Sequence, residues 1–483
     1  FNNIATTITT VNIGSGVAAN VGIFTGSTGI ETLDIAANAV TNIDSFDNLT
    51  IGTLTVDGTS TINSYSFTNS TITLGTIGSG ITLPTSSFYG ADFTTLNIGD
   101  TVIIGNSSFY GSMINSLNIG NNATTSADSF DDVNIGTMTV GTGAAMATGT
   151  FDAQSFITNL TIGDNLVTGP SAGGSMNIVN NMTIGNGANL SASAFSNIKV
   201  GNNLTLLNNV TLDQLSFGTA TILNLVIGDN AIIRAGNTSS TGAFYNSNIT
   251  GNISIGINAD IKGYVFQNAT LTGNFTIDPT WIIAVNSFSH MNVIGNFIVP
   301  NNQVLPETTF PNGTISGDLI LGTGVTLPNR CFYNTDITGN LTIPISTILT
   351  DIEHFEGSNI GTVSIPDNFI LVSQMFSGVT IDTITLGNNV TIPPTLFISG
   401  TVANMIVGDN TIGGWAQQTA QVTNMTFGSN NTLDASSSAS YINLTIGLNN
   451  NFANGAFSSC EITNLTMSAP VTAADVHTFT GIG

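Results

Sequence analysis

A short pattern recurs along the whole chain and constrains its fold more than any other feature. Each copy has an apolar residue, a mostly polar one, another apolar one and then usually Gly or Pro, and 22 copies end between Gly14 and Ser468. Successive copies are about 21.6 residues apart, with steps of 19 to 22 except for one of 28, between Gly228 and Gly256. A unit of this size cannot bury an apolar face alone, so neighbouring units must stack.

An aromatic residue keeps the same spacing, about ten residues after each copy. Rings that recur with the period of the coils are expected to fill the interior as a stacked column. The predicted column consists of Phe24, Phe46, Phe67, Phe88, Phe109, Phe130, Phe195, Phe217, Phe244, Phe266, Phe288, Phe310, Phe332, Phe355, Phe376 and Phe397, and Trp415 and Phe457 continue it less regularly.

The alternation within each copy predicts a β-strand with one buried face. In Asn340-Leu341-Thr342-Ile343 the period of two sends Leu341 and Ile343 inward and the two polar residues outward. Lys, Glu, Arg and Gln, the usual surface residues of helices, are scarce. We therefore predict an all-β chain, a single β-solenoid of about 22 coils with 21–22 residues each. Near Gly78 the register is ambiguous, because Ile72-Thr73-Leu74-Gly75 fits the pattern nearly as well.

Two segments resemble a known repeat family. Phe332-Tyr-Asn-Thr-Asp-Ile337-Thr-Gly-Asn-Leu341-Thr-Ile343-Pro344 and Ala456-Phe457-Ser-Ser-Cys460-Glu-Ile462-Thr-Asn-Leu465-Thr-Met467 are similar to the BspA-type leucine-rich repeat. The resemblance implies an LRR-like solenoid of a surface or secreted protein, often adhesive, with no catalytic residues. The family's Cys appears only at Cys460 and its Pro only at Pro300, Pro344 and Pro366. The units are also poorer in Leu and in Lys and Glu than the family pattern, so a right-handed parallel β-helix is the alternative fold.

The outward residue before the first apolar position of each strand changes along the chain. In residues 1–150 it is Thr or Ser, and in residues 151–483 it is mostly Asn, with Asp318, Thr362 and Thr383 as exceptions. We interpret these as two sections of one continuous domain. The outward Asn column comprises Asn159, Asn181, Asn203, Asn224, Asn252, Asn274, Asn296, Asn340, Asn404, Asn424, Asn443 and Asn464. It predicts a hydrogen-bonded amide ladder or a face that docks a glycan or another copy.

The charge balance and the length of the apolar runs each exclude one class of partner. The chain has 28 Asp and Glu but only 4 Lys and Arg, a net charge of −24. Nucleic-acid binding needs clustered Lys and Arg, so no nucleic-acid partner is expected. No apolar run approaches the roughly 18 residues of a membrane span.

No motif for catalysis or for a cofactor appears, and we predict that the chain is not an enzyme. Asp residues that follow the corner Gly or Pro, such as Asp100 and Asp409, are expected to cap their own turns, with calcium bridging between coils as the alternative. His354, near Asp351, Glu353 and Glu356, indicates a charged loop or a weak cation site. His290 and His477 have no partner at motif spacing. Cys331 and Cys460 lie six coils apart and cannot pair. Both lie near the aromatic corner, so both are expected to be buried.

Sequons in turns are the expected glycosylation acceptors, because glycans on adjacent ladder rungs would collide. The three candidates are Asn106, Asn237 and Asn312. The long step contains Ala235 to Gly242, which reads as a surface loop.

Together these features predict a non-enzymatic extracellular or cell-surface protein. Neither end of the sequence reads as a polar capping unit, so our first hypothesis is a structural rod or filament subunit that assembles end to end. The alternative is an adhesin that binds a glycan or a matrix protein through the Asn/Thr face.

Overall fold

The computed structural model describes residues 8–20, 24, 29–151, 154–236, 241–414, 420–433, 440–452, 457 and 461–468. The chain divides into two compact units, Phe1–Asp260 and Ile261–Gly483, here called unit 1 and unit 2. All regular structure in the described ranges is β-strand, and none of it is helix. The predicted all-β parallel β-solenoid is therefore confirmed, with about twenty turns.

Each coil has one long strand, a turn, a two-residue short strand in most coils and an aromatic corner. The long strands of unit 1 form parallel pairs from one coil to the next. They are Ile8–Ile13, Ile30–Ile35, Thr50–Val56, Thr71–Ile77, Asp92–Ile98, Met113–Ile119, Asn134–Val140, Phe156–Ile162, Asn177–Ile184, Lys199–Leu206, Thr221–Ile227, and Asn248–Ile249 with Ile253–Ile255. The short strands are Ala18–Ala19, Val40–Thr41, Thr82–Leu83, Ile103–Ile104, Thr124–Thr125, Ala145–Met146, Val167–Thr168, Asn189–Leu190, Thr211–Leu212 and Ile232–Ile233.

Unit 2 repeats this arrangement. Its long strands are Thr270–Thr272 with Phe275–Thr276, Asn292–Ile294 with Phe297–Val299, Thr314–Ile315 with Leu319–Leu321, Asp336–Thr342, Asn359–Ile365, Thr380–Leu386, Thr401–Val407, Gln421–Phe427, Ser440–Ile446 and Glu461–Met467. Its short strands are Ile282–Ile283, Thr326–Leu327, Ile348–Leu349, Thr391–Ile392, Ile412–Gly413, Thr432–Leu433 and Asn451–Phe452. One more short strand, Asp260–Ile261, contains the last residue of unit 1 and the first of unit 2.

The alternation in the sequence places the core as predicted. Leu341 is 0% exposed, while Asn340 and Thr342 on either side of it are exposed. Near Gly78 the register is resolved: Leu74 aligns with Thr53 on the outward face, and Gly75 aligns with the buried Leu54. Gly78 therefore ends this copy, as in the first of the two registers.

Several coils contain one extra residue in the long strand. In Ile337-Thr338-Gly339-Asn340-Leu341 the pairing with the next strand shifts between Ile337 and Asn340, and beyond the shift Leu341 again aligns with Val363. Such a bulge absorbs one residue and restores the inward and outward alternation after it. The outward Asn column therefore continues through coils of unequal length.

Most of the Phe residues stack face to face inside each unit, as predicted. In unit 1, for example, the ring centroids of Phe88 and Phe109 lie 5.4 Å apart, and the angle between the ring planes is 2°. In unit 2, the ring centroids of Phe355 and Phe376 lie 5.6 Å apart, with an angle of 20° between the ring planes. In the same unit the rings of Phe310 and Phe332 are instead tilted by 36°, and Phe297 makes edge contacts with both. Trp415 lies outside the described residues.

The predicted column needs one correction, because it passed from Phe130 directly to Phe195. Phe151 also belongs to it, stacked 5.3 Å from Phe130. The next coil has the buried Gly173 at the aromatic position, where a Cβ would lie 2.6 Å from the ring of Phe195 and 3.0 Å from Met176. These two neighbouring side chains therefore occupy the space of the missing ring.

Left-handed backbone closes the corners. The coil that follows Met113–Ile119 has positive φ at Asn122 (54°), Asp128 (55°) and Asp132 (54°). Asn and Asp tolerate this region better than most residues. The N–H of Asn122 donates to the carbonyl of Thr142 in the next coil at 2.8 Å, so the irregular segments are also bonded from coil to coil.

Candidate functional site

The outward Asn side chains of the long strands hydrogen-bond to one another along each unit. In unit 1, Nδ2 of Asn203 donates to Oδ1 of Asn181 at 3.0 Å, and Nδ2 of Asn224 donates to Oδ1 of Asn203 at 3.1 Å. Asn181 donates in the same way to Asn159 at 3.3 Å, and the backbone N–H of Asn252 donates to Oδ1 of Asn224. The side chains of Asn181, Asn203 and Asn224 therefore each accept from one neighbour and donate to another.

Unit 2 contains two stretches of the same ladder. Oδ1 of Asn274 accepts from the N–H of Asn296, and Oδ1 of Asp318 accepts from both nitrogens of Asn340 at 2.8 and 2.9 Å. Further along, the Nδ2-to-Oδ1 bonds measure 2.6 to 2.8 Å and join Asn404, Asn424, Asn443 and Asn464. The described ladder residues are half-exposed or exposed, so the ladder lies on the surface.

In the first coils the same column holds hydroxyl side chains. The strand register aligns Thr10 with Thr32 and Thr32 with Thr53, and later Ser116 with Thr137. Thr137 aligns with Asn159, which is where the composition of the column changes. The boundary between the two units lies elsewhere, after residue 260.

A second polar ladder runs along the corner after the long strands, and here our prediction was wrong. Asp100, Asp164, Asp229, Asp367 and Asp409 do not cap their own turns. Their Oδ1 atoms accept from the backbone N–H groups of Asn121, Asn186, Ile257, Asn388 and Ser429 in the following coil, at 2.6 to 3.0 Å. Because the turns stack in register, the N–H of the next coil faces each carboxylate. Asp57 and Asp278 do cap their own turns, through Thr59 and Thr280.

The ionisable cluster around His354 is held together by an ion pair that the sequence did not indicate. Nη2 of Arg330 lies 2.9 Å from Oε2 of Glu353, and Nε of Arg330 lies 2.7 Å from Oε2 of Glu356. These carboxylates are thus engaged by a cation of the previous coil. The described residues include no group of three or more His, Cys, Asp or Glu that could hold a metal ion. Calcium bridging between coils stays a prediction.

His354 itself lies inside the solenoid. Its side chain is 0% exposed, and Nε2 lies 2.9 Å from the carbonyl oxygen of Leu327, while Nδ1 is buried without a hydrogen-bond partner. Burial disfavours the imidazolium and lowers the pKa of His354 to about 4, against smaller opposing effects of the Leu327 carbonyl and Asp351. The imidazole is therefore neutral at pH 7.

Cys331 occupies the equivalent place one coil earlier, immediately before the stacked Phe. It is fully buried, as predicted, and burial raises the pKa of its thiol well above the ordinary range. His290 is exposed, with Nδ1 2.8 Å from the hydroxyl of Ser289. Cys460 and His477 lie outside the described residues.

Asp47 is a perturbed carboxyl that the sequence did not single out. Desolvation, opposed by the backbone N–H of Thr68 and reinforced by the nearby Asp44, raises the pKa of Asp47 to about 6. Desolvation is the largest of these causes, so the shift reflects the partial burial of one carboxyl beside another.

Two of the three candidate glycosylation sites are described. Asn106 and Asn312 are exposed residues of the aromatic corner, and Oδ1 of Asn312 accepts from Nδ2 of Asn334 at 3.2 Å. Asn237 lies outside the described residues. Glycosylation of these residues stays a prediction.

The parallel strands, the regular coil length and the stacked Phe of the corner define a repeat solenoid of the leucine-rich-repeat type. The chain belongs to the BspA-type leucine-rich repeat region family (six copies), which matches residues 81–201, 189–316 and 325–445. The resemblance found in the sequence is thereby confirmed. The comparisons with curated proteins and with solved structures found no match. Repeat solenoids of this kind are typically non-enzymatic and are consistent with a surface repeat protein. Among the described residues there is no helix long and apolar enough to cross a membrane.

Proposed function

We propose that the chain is a non-enzymatic, extracellular structural repeat protein whose copies assemble end to end. The observation that carries this proposal lies in the last described long strand, Glu461–Met467. Leu465 and Met467 are at inward positions but are 41% and 47% exposed. Their aligned residues in the preceding strand, Leu444 and Ile446, are 1% and 0% exposed. Among the described strands, Glu461–Met467 pairs with Ser440–Ile446 on one side only, and exposed inward side chains on such a strand favour pairing with another strand.

The first described long strand, Ile8–Ile13, has a matching pattern. Its Val11 and Ile13 lie in the two columns that Leu33 and Ile35 continue, and among the described strands it pairs only with Ile30–Ile35. If this strand of a second copy continued the sheet beyond Glu461–Met467, apolar residues would meet apolar ones and polar residues polar ones. The register that holds neighbouring coils together would then also hold the two copies.

The net charge of −24 opposes association between copies. Salt screens that repulsion, so assembly is expected to increase with ionic strength. The test is sedimentation velocity at low and at physiological salt, with negative-stain microscopy of the same samples. Long oligomers or fibres at physiological salt are the expected result.

Two variants distinguish association through the proposed end contact from non-specific association. The double variant Leu465→Lys, Met467→Lys places charge on the proposed contact and should shift the population to single copies. The control is Ile406→Lys, a 44% exposed outward residue of Thr401–Val407, which should assemble like the parent. Monodisperse single copies of the parent at high concentration and physiological salt would refute the proposal.

A further inference from the structure

A hollow interrupts the outward face of the long strands in unit 2. It crosses the four strands Thr314–Ile315, Asp336–Thr342, Asn359–Ile365 and Thr380–Leu386 and has a volume of about 400 Å³. Its floor contains Gly361. A Cβ at this position would lie 2.5 Å from the carbonyl oxygen of Thr338 and 2.8 Å from that of Gly339. Because these contacts are with backbone, no side chain fits there, and the floor stays open.

The walls of the hollow are polar and exposed. Asp336, Asn359 and Thr380 align along one side, and Thr338 and Asp382 stand on the other. Nδ2 of Asn359 donates to Oδ1 of Asp336 at 2.6 Å, which orients both side chains. The hydroxyl of Thr338 donates to the carbonyl of Ser316 at 2.7 Å, so its oxygen can accept from a ligand. The walls therefore offer mainly hydrogen-bond acceptors.

A glycine of unit 1 lies equally close to backbone of the previous coil, but different side chains surround it. A Cβ on Gly136 would lie 2.4 Å from the carbonyl oxygen of Asn115. However, the residues that align on either side of Asn134 there are Met113 and Phe156, which are 55% and 45% exposed. The carboxylate walls are thus a property of the coils around Gly361 and not of the glycine alone.

We propose that this hollow binds a neutral glycan unit. Its volume falls within the range of about 300–1,000 Å³ of small-molecule sites. Sugar hydroxyls are the donors that a wall of carboxylate, amide and hydroxyl oxygens needs, and neighbouring hydroxyls can donate to both oxygens of one carboxylate. The lining contains no Lys or Arg, and Asp336 and Asp382 repel anions, so sialylated and sulfated glycans are disfavoured. This site does not depend on end-to-end assembly.

The test uses the full chain and a panel of neutral mono- to tetrasaccharides with sialylated and sulfated counterparts, read by saturation-transfer NMR and then by calorimetry. A Lys/Arg-rich peptide is included as the competing ligand class for an acidic hollow. We expect binding of neutral saccharides only. Asp382→Ala should weaken that binding by about tenfold or more, because a hydrogen bond to a charged group is lost. Asp382→Asn, which keeps one acceptor oxygen, should weaken it less.

The matched control is Glu461→Ala, an exposed carboxylate in the same outward column as Asp336 and Asn359 but outside the hollow. It should bind like the parent. Three results would overturn the proposal: no saccharide of the panel binds, the peptide alone binds, or Asp382→Ala binds saccharide as tightly as the parent. Because Asp382 is exposed, its variants should keep the thermal unfolding midpoint of the parent, which checks that any loss of binding is local.

Discussion

Replacing one ring of the aromatic column tests how the solenoid is stabilised. Phe109 is 0% exposed and lies between Phe88 at 5.4 Å and Phe130 at 5.2 Å, nearly parallel to both. It also has an edge contact with Phe93 at 6.5 Å. Removing a buried Phe side chain to Ala costs about 3–5 kcal/mol in lost burial and in the cavity that remains. We expect Phe109→Ala to lower the free energy of unfolding by this amount.

A second substitution separates stacking from burial. Phe109→Leu keeps most of the apolar volume but loses two stacked pairs. Each stacked pair contributes about 0.5–1.5 kcal/mol beyond its buried area. We therefore expect Phe109→Leu to lower the free energy of unfolding by about 1–3 kcal/mol. The measurement is urea denaturation of the parent and both variants. Since each coil contacts mainly its neighbours, hydrogen exchange should accelerate in peptides from Asp92–Ile98 to Asn134–Val140. Peptides from Thr401–Val407 should keep the protection of the parent.

Either of two outcomes would show that this reasoning is wrong. If Phe109→Leu were as stable as the parent, the stacked geometry would contribute nothing beyond apolar burial. If Phe109→Ala accelerated exchange equally in Asn134–Val140 and in Thr401–Val407, the coils would unfold as one cooperative block rather than through neighbour contacts.

Two further predictions concern buried and corner polar groups. Because the pKa of His354 is lowered to about 4 from an ordinary 6.5, protonation favours the unfolded chain, so stability is fully present above about pH 6.5 and is lost as the pH falls towards 4. His354→Met introduces the residue type found at the equivalent place of the next coil, Met375. In urea denaturation it should reduce the difference in the free energy of unfolding between pH 7 and pH 4.5 by at most about 3 kcal/mol. An unchanged difference would show that His354 does not cause the loss of stability in acid. Asp409→Ala should lower the free energy of unfolding by about 1–2 kcal/mol, because the N–H of Ser429 loses its acceptor. Asp409→Asn should cost little, since Asn388 has this role one coil earlier, and equal losses in both variants would show that the bond is unimportant.

The fold could be predicted because its signals are local in the sequence. Leu341 is buried and Asn340 exposed for the single reason that strand side chains alternate. Phe376 stacks on Phe355 because both occur at the same point of consecutive coils. A period that holds over so many copies leaves few alternative folds, and the stacking of coils follows from the need to bury each apolar face.

The exceptions to the repeat could not be predicted from one copy at a time. Leu74 and Gly75 exchange the usual roles of polar and apolar residues, and only pairing with the neighbouring strands decides which of them faces inward. Gly173 lacks a ring that Phe195 and Met176 replace from adjacent positions in space. In the same way, the hollow around Gly361 exists because carbonyl oxygens of the previous coil approach the glycine. Most of the contacts that decide these features join residues 21 to 23 positions apart, such as Gly173 with Phe195 and Gly361 with Thr338.

The corner ladder shows why residue type alone misleads in a stacked fold. An Asp in a turn has two acceptable donors, an N–H two residues ahead or the N–H that the next coil presents, and the same residue type satisfies either. Asp57 bonds to Thr59 in its own turn, whereas Asp409 bonds to Ser429, 20 residues later. The residue at the same position of the neighbouring coil distinguishes the two kinds of Asp. Where Asn388, Asp409 and Ser429 recur at one position, each side chain accepts from the backbone N–H of the next residue in the column. Polar residues of a solenoid are therefore better compared along a column than along the chain, because their bonding partners lie in the adjacent coil.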